Sequence, residues 1–405
     1  MPLPACSSTA GMAEHSDLNL MTGSRDWAGH AAGPMGIIAD RVLSYDVADY
    51  VRFRAVCCPW RQCSVDPHAH GVMDRRFHPW RWTMLREEHT TPSRRSFLNT
   101  STGECIQVDV PELRNHEVLA VTAEGLLVLL HMPRYADVRL LNPLTRHLLA
   151  DLPPITTLLP PGVGLFSYFF DVYGQCTAWG SGIAGDDSTV VLSFNRLGML
   201  GTARPGDDHW TPVYYNEYSL GTSPVMLAGR FYCVTVKGVM VLEMGAGEPP
   251  QFVVAANLNM PPRPFADCMH LVNNCGELLL IHRQRVTETS GSSTWREKYD
   301  TYRVDLDTKG LFRVKSLGSG AGRAVFMGMD GSLSVSLEVF PSGSISSDTI
   351  YLSFDFGERE FLNIGSYHLK FGCMGRASRR WDGLVPRPHT LVDCLSFANT
   401  VMYIV

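Results

Sequence analysis

The residues best suited to metal chemistry are Cys58, Cys63, His68 and His70, thiols and imidazoles of the kind that hold zinc. Their spacing, Cys-x4-Cys-x4-His-x-His, is not a standard zinc pattern. Cys57, Cys58 and Cys63 also fall where a small helical module needs small buried side chains. Cys268 and Cys275 are looser still, so structural cysteines are expected, with no metal and no cofactor. Gly180-Ser-Gly-Ile-Ala-Gly185 matches the dinucleotide pattern G-x-G-x-x-G, which needs a helix opening at the glycines so that its N-terminus meets phosphate. Here Asp186-Asp-Ser-Thr-Val-Val-Leu-Ser follows, a loop entering a strand. Asp305-Leu-Asp307-Thr-Lys309-Gly310 begins like a calcium loop. Lys309 takes the third acidic position and Ser316 that of the terminal bidentate Glu, so a hairpin turn explains it better. No nucleophile elbow, H-E-x-x-H pair or Walker loop occurs. The chain reads as a non-enzyme.

Two basic clusters could bind a partner. Arg75-Arg76-Phe77-His78-Pro79-Trp80-Arg81-Trp82 mixes cations with aromatics, as single-strand nucleic-acid grooves do. The whole chain carries 35 Lys and Arg against 40 Asp and Glu, a formal charge of -5. That balance gives no general attraction to nucleic acid or to an anionic membrane. The stretch is therefore expected to pack its aromatics on a neighbouring domain and leave its arginines in solvent. Arg376, Arg379 and Arg380 beside Trp381 fall in a loop before the last strands and are candidates for a target-binding surface.

The elements that must position these residues change character along the 405 positions. Residues 1–25 are rich in Ser, Ala and Gly and read as a disordered leader without a signal peptide. Leu126–Leu130, among the strongest apolar runs, is far short of a membrane span. Eleven cysteines are scattered and odd in number, which suits reduced thiols in the cytoplasm or nucleus. Residues 26–64 carry apolar side chains at helical spacing: Met35, Ile38, Val42 and Leu43, then two stripes, Val47, Tyr50, Val51 and Ala55, and Phe53, Val56, Cys57 and Trp60. Asp46 between them is a good N-cap, Asp49 suits the positive end of the second helix, and Pro59 can open a third. Two or three short helices in so small a module need something to dock on. Residues 65–94 read as a linker.

From residue 95 to 405 the pattern is β. Short apolar runs recur between Gly, Pro, Asn and Asp clusters, among them Val138–Leu141, Val190–Phe194, Phe231–Val236, Leu278–His282, Tyr299–Leu306, Ala324–Met327 and His389–Phe397. A loose repeat begins at Gly125-Leu-Leu-Val-Leu-Leu, Gly229-Arg-Phe-Tyr-Cys-Val and Gly276-Glu-Leu-Leu-Leu-Ile. Each unit reads as a strand, a turn and a second strand, at spacings near the roughly 40–50 residues of a propeller blade. The fold class is therefore mainly β, a β-propeller-like domain of six or seven blades behind a small N-terminal helical module.

The helical segment Pro34-Met-Gly-Ile-Ile-Ala-Asp-Arg-Val-Leu43, followed by Arg54-Ala-Val-Cys-Cys-Pro-Trp-Arg61, resembles an F-box. Asn142-Pro-Leu-Thr-Arg-His147, Gly322-Arg-Ala-Val-Phe-Met-Gly328 and Ile350-Tyr-Leu352 are similar to the DUF295 domain of plant F-box proteins. This resemblance implies that the helices bind a Skp-family adaptor and through it a cullin-based ubiquitin ligase, while the β domain selects an unknown protein substrate. Carried across by position, Pro34, Ile37, Ile38, Val42, Leu43, Val56, Cys57 and Trp60 would form the adaptor-facing apolar surface, shared with the core of the module. One departure bears on it. Gly33 and Gly36 stand where such motifs have Leu and Asp, and losing an anchoring Leu from an interface costs about 2 kcal/mol or more. Two other readings follow: a propeller-type binding protein whose F-box has decayed, and, from a different class, a propeller hydrolase or lyase with a central cluster of carboxylates or histidines.

Overall fold

The computed structural model describes residues 33–85, 93–131, 137–159, 178, 180–185, 188–194, 198–214, 224–245, 249–258, 267–287, 295–318, 322–328, 331–352, 365–375 and 395. Three short helices come first: α1 (Pro34–Tyr45), α2 (Val47–Ala55) and α3 (Cys58–Gln62). Asp46, with extended backbone at φ -156°, ends α1 and caps α2; its side chain accepts from the N–H groups of Ala48 at 2.7 Å and Asp49 at 3.3 Å. Asp49 in the first turn and Arg52 and Arg54 in the last complement the dipole of α2. No helix among the described residues is long and apolar enough to cross a membrane.

The rest is a six-bladed β-propeller. Blade 1 holds β1 (Trp82–Met84), β2 (Arg94–Asn99) and β3 (Cys105–Asp109). Blade 2 is a four-strand meander of β4 (His116–Val121), β5 (Leu127–His131), β6 (Val138–Asn142) and β7 (His147–Leu152). Blade 3 repeats the plan with β8 (Gly180–Ile183), β9 (Val190–Phe194), β10 (Met199–Ala203) and β11 (Thr211–Tyr214). Blade 4 follows with β12 (Val225–Leu227), β13 (Arg230–Thr235), β14 (Gly238–Glu243) and β15 (Gln251–Asn257). Blade 5 has β16 (Asp267–Asn274), β17 (Glu277–Thr287), β18 (Trp295–Asp305) and β19 (Gly310–Val314).

Blade 6 departs from the meander. Its order is β21 (Ser332–Ser336), β20 (Arg323–Met327), β22 (Thr349–Leu352), β23 (Gly365–His368) and β24 (Cys373–Met374), and β20 pairs with β22 in parallel. The inner strands β4, β8, β12, β16 and β21 touch one another in turn around the axis.

Period-2 alternation explains why the middle strands read as unbroken apolar runs. Leu127 and Leu129 pack towards blade 1, while Val128 and Leu130 pack towards blade 3. In β17, Leu278 and Leu280 face blade 4, and Leu279 and Ile281 face blade 6. Blades 3 and 4 meet through Val191, Leu200, Met226 and Phe231. The ring closes where Leu85 and Leu98 of blade 1 pack on Ala324, Phe326 and Val335 of blade 6, with Leu395 buried among them. The proposed final strand, His389–Phe397, lies outside the described residues apart from that leucine.

The stretch 65–94, read as a linker, contributes β1 to the first sheet, where Trp82 pairs with Asn99 and Met84 with Phe97. Three residues are too few to display the alternation by which the other strands announce themselves. The propeller therefore begins before residue 95.

Candidate functional site

The helical module sits on blade 1 and is joined to it by one buried carboxylate. Asp46 Oδ1 caps α2, while its Oδ2 accepts from Trp82 Nε1 and Asn99 Nδ2, both at 3.0 Å. Arg52 reinforces the joint from outside, reaching Asp49 at 2.8 Å and Glu104 at 2.5 Å. Both partners are half exposed, so this ion pair contributes little beside the buried hydrogen bonds of Asp46. Arg54 Nη1 donates to the carbonyls of Ser64 and Val65, each at 2.8 Å, and folds the chain after α3 back onto α2. Tyr50 is fully buried, and its hydroxyl donates to Val65 O at 2.8 Å. Burial raises its pKa, which keeps that donor protonated.

This anchoring gives the module two distinct faces. Met35, Ala39, Leu43, Val47, Tyr50 and Phe53 are buried in the core that includes Phe77, Trp82 and Phe97. On the opposite side Ile37 is 67% exposed, Ile38 47%, Tyr45 63% and Val56 61%. Pro34, Ile37, Ile38 and Tyr45 recur at helical spacing, so they form one ridge along α1. The eight residues assigned to adaptor binding therefore divide. Pro34, Ile37, Ile38 and Val56 are exposed; Val42, Cys57 and Trp60 are half-buried, with Trp60 stacked on Phe53 at 4.6 Å between ring centroids; Leu43 is committed to the core. The F-box resemblance implies a face shared between the adaptor and the module's own core; Leu43 lies on the core side of it and Ile38 on the exposed side.

The other sequence candidates are placed as follows. Cys63 is buried and its thiol donates to Trp60 O at 3.2 Å, Cys58 is exposed, and His68 pairs with Asp66 at 3.2 Å. Among the described residues no group of three or more His, Cys, Asp and Glu is arranged to hold a metal ion. The glycines 180 and 182 lie inside strand β8, and no helix opens there. A Cβ on Gly182 would stand 2.2 Å from Met226 Cγ, so this residue is small because blade 4 packs directly on it. The Asp305 loop is the β18–β19 hairpin, in which Asp305 Oδ1 accepts from the N–H groups of Asp307 and Thr308, both at 3.0 Å.

Within the 75–82 cluster, Phe77 and Trp82 are buried and Arg76 pairs with Asp74 at 2.7 Å. Arg81 lies over the Tyr45 ring at 5.1 Å. Arg75 is not in open solvent: half-buried, it reaches Ala184 O at 3.5 Å and so crosses to blade 3. Arg376, Arg379, Arg380 and Trp381 lie outside the described residues.

Among the described residues, the titratable groups near the axis do not gather into one cluster. Burial pushes His270 down to about 3, so its imidazole is neutral. Its Nε2 is 3.5 Å from Cys268 Sγ, and burial pushes that thiol up, away from the nucleophilic thiolate. Glu124, 2% exposed, accepts from the Ile183 N–H at 3.2 Å. Desolvation raises its pKa, so the stability it contributes is present at low pH and lost as pH rises through the folded-state value. Glu124→Gln is accordingly expected to be more stable than the natural protein at neutral pH, with the gap shrinking as pH falls into the carboxylate range. Denaturant midpoints at two pH values check this, and a gap independent of pH refutes it.

A second concave region had no linear signal. It lies between β18 and β19 of blade 5 and the β23–β24 hairpin of blade 6, and encloses about 420 Å³. Its walls come from Val286 to Gly372, residues that only the ring brings together.

A family model described as KIB1-4 beta-propeller matches residues 97–369. No curated protein matches. Among solved structures, a protein from Lactobacillus plantarum is 12% identical over 74% of this chain and 81% of its own, with a TM-score of 0.37. A functionally unknown protein from Desulfotomaculum acetoxidans is 12% identical over 75% and 95%, with a TM-score of 0.33. A putative 6-phosphogluconolactonase from Bacteroides uniformis is 13% identical over 73% and 81%, with a TM-score of 0.34. Likeness at that level carries no functional argument. The family match spans well over half of the chain and takes in β3 to β23 together with the second half of β2, and on that ground the chain belongs to the KIB1-4 beta-propeller family.

Proposed function

We propose that this protein is a recruiting adaptor of a Skp–cullin–F-box ubiquitin ligase: its helices bind a Skp-family protein and its propeller holds a substrate. A β-propeller is a rigid protein-binding platform, and the family match is in keeping with a non-catalytic role. The observation that carries the finer reading is the ridge of Pro34, Ile37 and Ile38, exposed on α1 while the other face of that helix is fixed to blade 1; Val56, just after α2, is exposed as well. Exposed aliphatic side chains in a row mark a surface awaiting a partner. They fall at positions where the resemblance to an F-box places adaptor contacts. The mechanism is proximity: a target held on the propeller meets the ligase at high effective concentration.

Capture by an immobilised Skp-family protein tests this. Ile37→Asp with Ile38→Asp is expected to weaken capture at least about a hundredfold, since two apolar anchors are replaced by charges facing an apolar pocket. The thermal midpoint should hold, because both side chains are exposed in the free protein. Absence of capture by the unaltered protein removes the ligase role. The reading of a decayed motif has its own support: Gly33 at the N-cap of α1 supplies no side-chain cap, and the first turn has no acidic residue. On that reading Gly33→Leu with Gly36→Asp creates binding that the present sequence lacks. Equal capture of both forms refutes it.

A further inference from the structure

We propose that the cleft between blades 5 and 6 binds an acidic peptide segment carrying a bulky apolar side chain. This deepens the reading of the propeller as a target-holding platform and rests on it for its purpose, though the binding itself is measurable alone. The floor is aromatic: Tyr299 and Tyr367 are both buried, and their ring centroids lie 4.9 Å apart across the blade boundary. On the rim Phe371 is 75% exposed, the most exposed large apolar side chain among the described residues, and Val286 is 41% exposed. A half-open volume of about 420 Å³ suits a side chain and a short run of backbone rather than a folded surface.

The charge around this floor is lopsided. Glu297 lies 3.6 Å from Arg283 and 3.9 Å from Arg285, and accepts the Tyr299 hydroxyl at 2.9 Å. Asp300 is held by Lys298 at 2.8 Å and by Arg313. Two carboxylates are thus already answered by four cations. Lys315 and Lys370 also line the cleft; both are exposed, and no ion pair joins either to a carboxylate of the described residues. The result is a positive, aromatic hollow in a chain whose formal charge is -5. Such a field attracts an acidic chain and repels the basic surfaces that the rest of the molecule would draw. A nucleic acid fits less well, because an isolated apolar rim offers no run of stacking platforms.

The test uses the full chain and three labelled probes in fluorescence anisotropy. These are a short Asp- and Glu-rich peptide with a central Phe, the same peptide with Lys in place of each acid, and a single-stranded oligonucleotide of equal negative charge. The acidic peptide is expected to bind, more weakly as salt rises, and the basic peptide not to bind. Lys315→Glu with Lys370→Glu should weaken the acidic peptide at least about tenfold and flatten its salt dependence. Phe371→Ser should weaken it several-fold at every salt concentration. All three sites are exposed, so melting curves should not move. Undiminished binding by the charge-reversed variant overturns the proposal, as does equal affinity for the oligonucleotide. Adaptor capture by the same variant is expected to be unchanged. For the unaltered protein, failure to bind the acidic peptide with adaptor capture intact refutes this inference alone, whereas peptide binding without capture upholds it and refutes the ligase role alone.

Discussion

Asp46→Ala is expected to lower the free energy of unfolding by about 3–5 kcal/mol and to expose the helical module to proteolysis. The carboxylate is 8% exposed and accepts four hydrogen bonds, two from the first turn of α2 and two from Trp82 and Asn99 of blade 1. Losing an N-cap costs about 1 kcal/mol. Leaving two buried side-chain donors without an acceptor costs about 1–3 kcal/mol each. Because Trp82 and Asn99 belong to the propeller, the loss should also separate the two parts rather than merely fray α2. Denaturant unfolding gives the energy, and limited proteolysis with mass mapping shows whether cleavage concentrates in residues 34–62. Asp46→Asn keeps one acceptor oxygen and should recover part of the loss. A variant as stable and as protease-resistant as the natural protein would show that the joint lies elsewhere.

Gly125→Val is the second large effect, at about 4 kcal/mol or more. Gly125 turns the chain between β4 and β5 with φ +83°, a conformation that a β-branched residue resists. A Cβ there would also stand 2.3 Å from Pro79 O, a backbone atom that cannot swing aside. Strain and overpacking add, and they act where residues 75–82 lie across blade 2. Gly276→Val separates the two contributions, since φ is +90° but nothing lies within 4 Å of its Cβ. It should lose only about 1–3 kcal/mol. Equal losses at the two positions, read from chemical denaturation, would mean that the contact with Pro79 is unimportant.

The sequence made these sites legible to different depths, and distance along the chain explains the difference. Asp46 was recognisable as a cap because a cap needs only the next three residues. Its bonds to Trp82 and Asn99 span 36 and 53 residues, which no local pattern encodes. The run Leu126–Leu130 read as a strand, and in the fold its alternate side chains feed two different blades. β1 was missed because three residues cannot show a period, and the parallel β20–β22 pair because strand order leaves no mark on composition. The apolar stripe of α1 was visible, but the division between buried Leu43 and exposed Ile37 depends on where blade 1 lies. The cleft between blades 5 and 6 draws on residues from two sheets, so it existed for a reader only once the ring was closed.

That closure has a consequence for how the protein is made. The last seam joins Leu98 to Phe326, side chains that leave the ribosome more than two hundred positions apart, and β22 can enter its sheet only after the chain has gone out to β21 and returned. During synthesis the nascent arc therefore presents two oily flanks with nothing to cover them, a state prone to sticking. Chains halted before residue 322 should accumulate in chaperone complexes, and release should coincide with emergence of the sixth blade.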